Sequence, residues 1–212
     1  MTEHTLIQAK EVTKVYQTKD GFVRLEAGAT AAPKDDDAKD AKIDLAGWSL
    51  GGMVLATSDA QGRIDATPRG GAPGFVKVPD DHTLLLGDAP GNNRLDALQN
   101  LLDNPRAGLL FMVPGVDETL RVNGRVVLST DPADVAACSD GRRLPKVVLR
   151  LTVEEAFLHC AKACMRSRLW HADAQVERER LPTMGQMIHE QIGLDAPPET
   201  QAQMLARYQQ DL

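Results

Sequence analysis

The stretch Gly108-Leu-Leu-Phe-Met-Val-Pro-Gly-Val-Asp-Glu-Thr-Leu-Arg-Val-Asn-Gly-Arg-Val-Val-Leu128 decides the fold. Gly108 to Val113 is an apolar run of strand length, Pro114-Gly115 is a turn, and Thr119 to Leu128 is a second run rich in β-branched residues. Asn123-Gly124 inside that second run reads either as a tight hairpin or as a bulge in one long strand. A hairpin leaves only a very short first arm, so the bulge is preferred.

Upstream, Met53 to Thr57 is a short apolar strand, Ser58-Asp59-Ala60-Gln61-Gly62 is turn chemistry, and Arg63 to Thr67 alternates as a returning strand. Phe75 to Val78 and Thr83 to Leu86 flank Pro79-Asp80-Asp81 as a second hairpin. Leu95, Leu98, Leu101 and Leu102 then recur at helical spacing, predicting a core-facing stripe on a helix that ends at Asn104-Pro105. Downstream, Thr130-Asp131-Pro132 starts a short helix and Lys146 to Leu151 is the last clear strand. Thr152 with Glu155 forms a capping-box pattern, predicting a helix through Ala156, Phe157, Cys160 and Cys164 toward Trp170. Pro182 and Pro198 sit near the starts of two more helical stretches. Mostly hairpin-length connections favour an antiparallel barrel over a doubly wound sheet.

Three segments follow. Residues 1–47 form an N-terminal arm, with a short helix over 6–16 and a polar linker at 19–42 that cannot bury enough surface to offset its ordering entropy. Residues 48–182 form the barrel domain, and residues 183–212 a C-terminal helical extension. Only 4% of the 212 residues are aromatic, so the core must be mainly aliphatic. A net charge of -6 argues against non-specific nucleic-acid binding. Three cysteines without framework spacing suit a reducing compartment. Without a basic, apolar leader at Met1 or any run of about 20 apolar residues, a cytoplasmic protein with no membrane partner is expected.

Two segments carry the chemistry. Gly91-Asn92-Asn93-Arg94 closes a strand and opens a helix. Gly and Asn tolerate positive φ, so backbone N–H groups there can turn to one point beside a helix N-terminus. Arg94 adds a bidentate fork, and the place suits a phosphate. Thr67-Pro68-Arg69-Gly70-Gly71 repeats the theme of an Arg beside a hydroxyl and glycines.

Ala66-Thr-Pro-Arg-Gly70, Pro90-Gly-Asn-Asn-Arg-Leu-Asp96, Asn104-Pro105, Leu109-Leu-Phe111, Pro114-Gly115 and Glu118-Thr-Leu-Arg-Val-Asn-Gly124 together resemble the pyridoxamine 5'-phosphate oxidase-like superfamily. Within it, they are similar to a bacterial subgroup of FMN-binding proteins, whose C-terminal signature Phe157-Leu-His-Cys-Ala-Lys-Ala163 and Arg166-Ser-Arg-Leu-Trp170 also resemble. The resemblance implies a mainly β protein with flanking helices: an FMN-binding split β-barrel, homodimeric, with one FMN per subunit in the groove between chains. It implies that Thr67, Arg69, Asn92, Asn93 and Arg94 face the FMN phosphate and ribityl chain. It places Thr119 and Arg121 on the strand passing the isoalloxazine, and Lys162, Arg166, Ser167 and Trp170 on a C-terminal helix that reaches the flavin across the dimer. Thr67 stands where the subgroup usually has Ser, which keeps the hydroxyl, and residues 19–47 lack the apolar-faced helix of relatives.

Blander readings stand beside these. Asn93 and Arg94 would otherwise be a helix cap with a solvated Arg, Arg69 a surface partner of Asp65 or Asp88, and Thr119 and Arg121 ordinary strand positions. His159, Cys160 and Cys164 offer no fourth ligand, so no metal is expected. The function expected is that of an FMN-dependent oxidoreductase acting on an unknown small molecule. The alternatives are a flavin carrier or sensor without turnover, and a split-barrel binder of haem or the deazaflavin F420. No general acid or base stands out.

Overall fold

In the computed structural model, residues 12–17, 23–27, 43–44, 52–72, 74–80, 82–91, 94–193 and 197–209 are described, the first three segments as strands only. The strands β1 (Val12–Gln17), β2 (Val23–Ala27) and β3 (Ile43–Asp44) form a small antiparallel sheet in that order. The helix expected over residues 6–16 is therefore corrected over its described part. Val12, Thr13, Val15 and Tyr16 are strand formers, and their strand pairs with Val23–Ala27 inside the expected linker. Residues 28–42 lie outside the described residues.

The main sheet contains β4 (Gly52–Ser58), β5 (Ile64–Gly70), β6 (Val76–Asp80), β7 (Thr83–Gly87), β8 (Arg106–Val113), β9 (Val116–Ser129) and β10 (Val148–His159). Its order is β5-β4-β8-β9-β10-β7-β6 and every pairing is antiparallel. Consecutive strands β5 and β6 thus lie on opposite margins. Laid flat, the gaps across seven strands would hold them about 29 Å apart. The chain from Gly70 to Val76 can span only about 20–22 Å, so the sheet must curl until its margins approach. The result is the antiparallel barrel expected from the order of elements, in the split form that the resemblance implies.

Alternation fills the interior. Met53 and Leu55 of β4, Leu109 and Phe111 of β8, Leu120 and Val122 of β9, and Leu149 and Leu151 of β10 point into one apolar core. Helix α1 (Asp96–Asp103) plugs one end with Ala97 and Leu101, and Leu98 packs partly against the core. Leu95 and Leu102, expected in the same stripe, are instead 55% and 68% exposed. Spacing of i to i+7 covers more of the helix circumference than this end of the barrel can bury.

β9 runs unbroken through Asn123-Gly124, as preferred, but the extra residue lies on its partner. On β10, Val153 faces Gly124 and Glu155 faces Asn123, leaving Glu154 as the bulge. Gly124 is needed at this spot, because a Cβ there would lie 2.2 Å from the Thr152 carbonyl oxygen. The helix expected from Thr152 is corrected: the strand continues to His159, and α3 (Lys162–Ser167) begins only beyond it. A capping pattern is worth about 1 kcal/mol. It loses here to a ladder along β9 that also buries Leu149, Leu151, Val153 and Ala156.

Between β9 and β10 lies α2 (Pro132–Ala137), capped by the Asp131 carboxylate accepting from Ala133 N–H at 2.8 Å. After α3 come two short 3-10 turns, then α4 (Met184–Ile192) and α5 (Gln201–Tyr208), both opened by capping boxes. Among the described residues, no helix is long and apolar enough to cross a membrane.

Candidate functional site

The site begins with alternation on a margin strand. Along β5, Asp65, Thr67 and Arg69 are half-buried while Ala66, Pro68 and Gly70 face out. Pro68 is tolerated because β5 lies at the margin of the sheet, with no described strand on its outer side to receive an N–H. The opposite margin supplies the end of β7 and the loop after it, Leu86 to Gly91, followed by Arg94 and the first turn of α1. Side-chain amides fix that helix: Asn100 donates to Thr57 Oγ1 at 3.1 Å and Asn104 to Ser58 Oγ at 2.8 Å. The margins enclose a cavity of about 520 Å³, with Phe75 and Leu149 among its apolar lining and Thr67, Arg69, Arg94, Asp65, Asp88 and Asp96 as its polar side chains.

Two guanidinium groups from segments some 25 residues apart in sequence therefore meet in one cavity. Both also meet carboxylates. Arg69 Nη1 donates to Asp88 Oδ1 at 3.0 Å, tying β5 to the end of β7 across the split, with each side chain 24% exposed. Arg94 donates from Nε and Nη2 to Asp96 Oδ2 at 2.8 Å, in a far more exposed pair. Exposed pairs of this kind contribute about 0–1 kcal/mol. Arg69 Nε is buried and meets no hydrogen-bond acceptor among the described residues. Leaving such a donor unsatisfied costs about 1–3 kcal/mol.

The loop carrying Asp88 is rigidly backed. Asp88 N–H donates to Val147 O at 2.9 Å. Behind it, a Cβ on Gly87 would lie 3.1 Å from the Pro145 ring and 3.2 Å from Cys138 Cβ, so a larger residue there would have to press these neighbours back by a few tenths of an ångström. Burial pushes the Cys138 thiol pKa up, so it stays protonated at neutral pH and packs as a small apolar group.

The expected site residues divide into three groups. Thr67, Arg69 and Arg94 line the cavity. Asn92 and Asn93 lie outside the described residues. Thr119, Arg121, Lys162, Arg166, Ser167 and Trp170 are not among its lining residues. Thr119 is buried on β9, opposite His159. Arg121 lies over the Phe157 ring, 4.8 Å from its centre. Lys162 and Arg166 are exposed, Ser167 Oγ donates to Cys164 O at 3.1 Å, and Trp170 Nε1 donates to Val116 O at 2.8 Å. Trp170 is thus an anchor for the segment after α3.

Asp96, Phe75 and Leu149 were not anticipated as lining residues. Period-two alternation along β5 marks Asp65 as facing the same way as Thr67 and Arg69, whereas Leu149 is brought in only by sheet closure. Cys160 is exposed and Cys164 buried, since α3 starts at Lys162 and the two do not share a helix face. Among the described residues, no group of three or more His, Cys, Asp or Glu side chains is arranged to hold a metal ion.

A family model described as pyridoxamine 5'-phosphate oxidase matches residues 50–160, just over half the chain. No curated protein matches. Among solved structures, HupZ from Group A Streptococcus is 23% identical, with 51% of this chain and 84% of that chain covered and a TM-score of 0.43. An F420 reductase is 16% identical, with 51% and 90% covered and a TM-score of 0.38. The heme storage protein HutZ from Vibrio cholerae is also 16% identical, with 52% and 85% covered and a TM-score of 0.36.

Proposed function

The chain belongs to the pyridoxamine 5'-phosphate oxidase family, and we propose that it binds FMN with the phosphate in the cavity between the sheet margins and works as a flavin-dependent oxidoreductase. One observation carries this reading: Arg69 from β5 and Arg94 from the start of α1 line the same cavity, next to the Thr67 hydroxyl. The unsatisfied Arg69 Nε fits an oxygen-rich anion that the protein itself does not supply.

In this reading Arg69 and Arg94 bind the phosphate, Thr67 donates its hydroxyl to the same end, and Phe75 with Leu149 excludes water from the apolar side of the cavity. Asn92 and Asn93 contribute through the loop at the helix start. When bound, the flavin supplies hydride or electron transfer, and the protein supplies position and electrostatics. Arg121 or Lys162 provides positive charge near the ring, with Thr119, Arg166, Ser167 and Trp170 contributing from the C-terminal side across a homodimer. Leu95 and Leu102, large apolar side chains that a single chain leaves exposed, support a second subunit. Light scattering should then return twice the 23.0 kDa chain mass.

The decisive experiment is an absorption spectrum and mass spectrum of the purified protein, followed by FMN titration of the apo-form. Arg94→Ala and Arg69→Ala should each weaken FMN binding by about 1.5–3 kcal/mol, the range for a hydrogen bond to a charged group. Unchanged affinity in both variants, or release of haem or a deazaflavin instead, overturns the reading. Reduction of the bound flavin by NADH or NADPH at a useful rate separates an enzyme from a carrier.

A further inference from the structure

The cavity read as a phosphate site already holds a full set of anions of its own. Two guanidinium groups share it with three carboxylates, Asp65, Asp88 and Asp96. A dianion entering there meets like charge, and it can engage Arg69 fully only if that guanidinium leaves its carboxylate partner. Asp88 occupies Arg69 directly, at 3.0 Å and on the most enclosed ion pair of the cavity. In that pose Arg69 leaves its buried Nε–H unmet, so the paired arrangement satisfies the arginine only in part.

We propose that Asp88 is a latch on Arg69: its carboxylate holds the guanidinium across the split of the barrel, and an incoming phosphate binds by exchanging with it. The inference rests on the reading of the cavity as a phosphate site. The two partners differ in freedom. Asp88 sits on a backbone pinned by Val147 O and backed by Cys138 and Pro145, with a short side chain. Arg69 has a long, flexible stem on a margin strand. On exchange it is therefore the guanidinium that swings, taking Nε–H toward the ligand, while the carboxylate stays. Asp88 thereby sets the phosphate affinity of the site without being a ligand to it, and favours doubly charged phosphate monoesters over singly charged anions, which displace a carboxylate less well.

The test is binding of inorganic phosphate and of FMN, each measured by calorimetry on the full-length apo-protein and on Asp88→Asn, Asp65→Asn and Arg69→Ala. Asparagine keeps the size and the acceptor oxygen of Asp88 but removes its charge. The expected result is tightening of both ligands by about two- to fivefold in Asp88→Asn, from loss of the competing ion pair, with a smaller change in Asp65→Asn and strong weakening in Arg69→Ala. Equal gains in the two Asp variants would mean general charge relief and overturn the latch. Weaker or unchanged binding in Asp88→Asn would overturn it too, making Asp88 a plain support for Arg69 while the phosphate site stands. If Arg69→Ala binds both ligands normally, Arg69 is no phosphate ligand and the latch fails, and the cavity reading fails with it only if Arg94→Ala binds normally as well. Should Asp88→Asn not fold, Asp88→Ser carries the same expectation.

Discussion

In the barrel, Leu55 is 0% exposed and Leu151, Val122 and Val148 are nearly as enclosed, while among the described residues of the C-terminal run from α3 to α5 only Cys164 and Met204 are buried apolar residues and Ile192 is 61% exposed. Both regions are regular, but for different reasons. The strands are held by ladders between residues far apart in sequence and by one shared core. The helices α4 and α5 are held by their own ends: Thr183 and Gln186, and Thr200 and Gln203, cap each other reciprocally. The difference teaches that a well-formed helix here is no sign of a packed one.

Substitutions at the extremes test the contrast. Leu55→Ala removes a fully enclosed side chain and should cost about 2–5 kcal/mol in a urea titration. Ile192→Ala should stay within about 0.5 kcal/mol; a cost like that of Leu55→Ala would mean that a second copy packs the C-terminal helices, and would break the contrast. Gly124→Ala comes next, at about 1–3 kcal/mol, because β10 must move away from a Cβ placed against the Thr152 carbonyl. Its thermal midpoint should fall while bound-ligand spectra of the folded fraction stay unchanged. Thr183→Ala should cost about 1 kcal/mol, felt only locally. Amides of residues 184–192 should exchange faster, with those of β9 and β10 unaffected.

The smallest effect is a pH dependence at the β4–β5 turn. Asp59 accepts from Arg63 N–H and Gln61 N–H, both at 2.9 Å, and pairs with the Arg63 side chain. The Arg63 backbone bond foremost holds its pKa below the ordinary 3.8, despite burial pushing the other way. A lowered folded value means that its stabilisation is complete above 3.8 and disappears as pH falls through the lowered value. Stability curves of the parent and Asp59→Asn should therefore converge as the solution is acidified below pH 3.8.

Much of this was legible in the residues alone. The β4–β5 and β6–β7 hairpins, α1 ending at Asn104-Pro105, α2 behind Asp131 and the two late helices all follow from local turn and cap chemistry. What escaped was non-local. Thr152 and Glu155 carry a genuine cap pattern, and only the length of β9 opposite them turns the segment into a strand. The bulge at Glu154 is written on β10, although Asn123-Gly124 on β9 is what announces it. Arg69 and Arg94 stood out as charged forks beside glycines. That Arg69 and Arg94 would meet at one phosphate was expected, and Asp88 could be read as a candidate partner of Arg69, but that Asp88 joins both in one cavity depends on curling the sheet. Asn92 and Asn93, central to the sequence reading, lie outside the described residues.

The short link from Gly70 to Val76 has one more consequence. Because the barrel closes through a tether and the Arg69–Asp88 contact rather than a continuous ladder, its two margins form a seam. Amide exchange should start there, on β5 and the end of β7, well before β9 loosens. A molecule lodged between those margins would act as a clasp, slowing that opening from a place that contributes little to the hydrophobic interior.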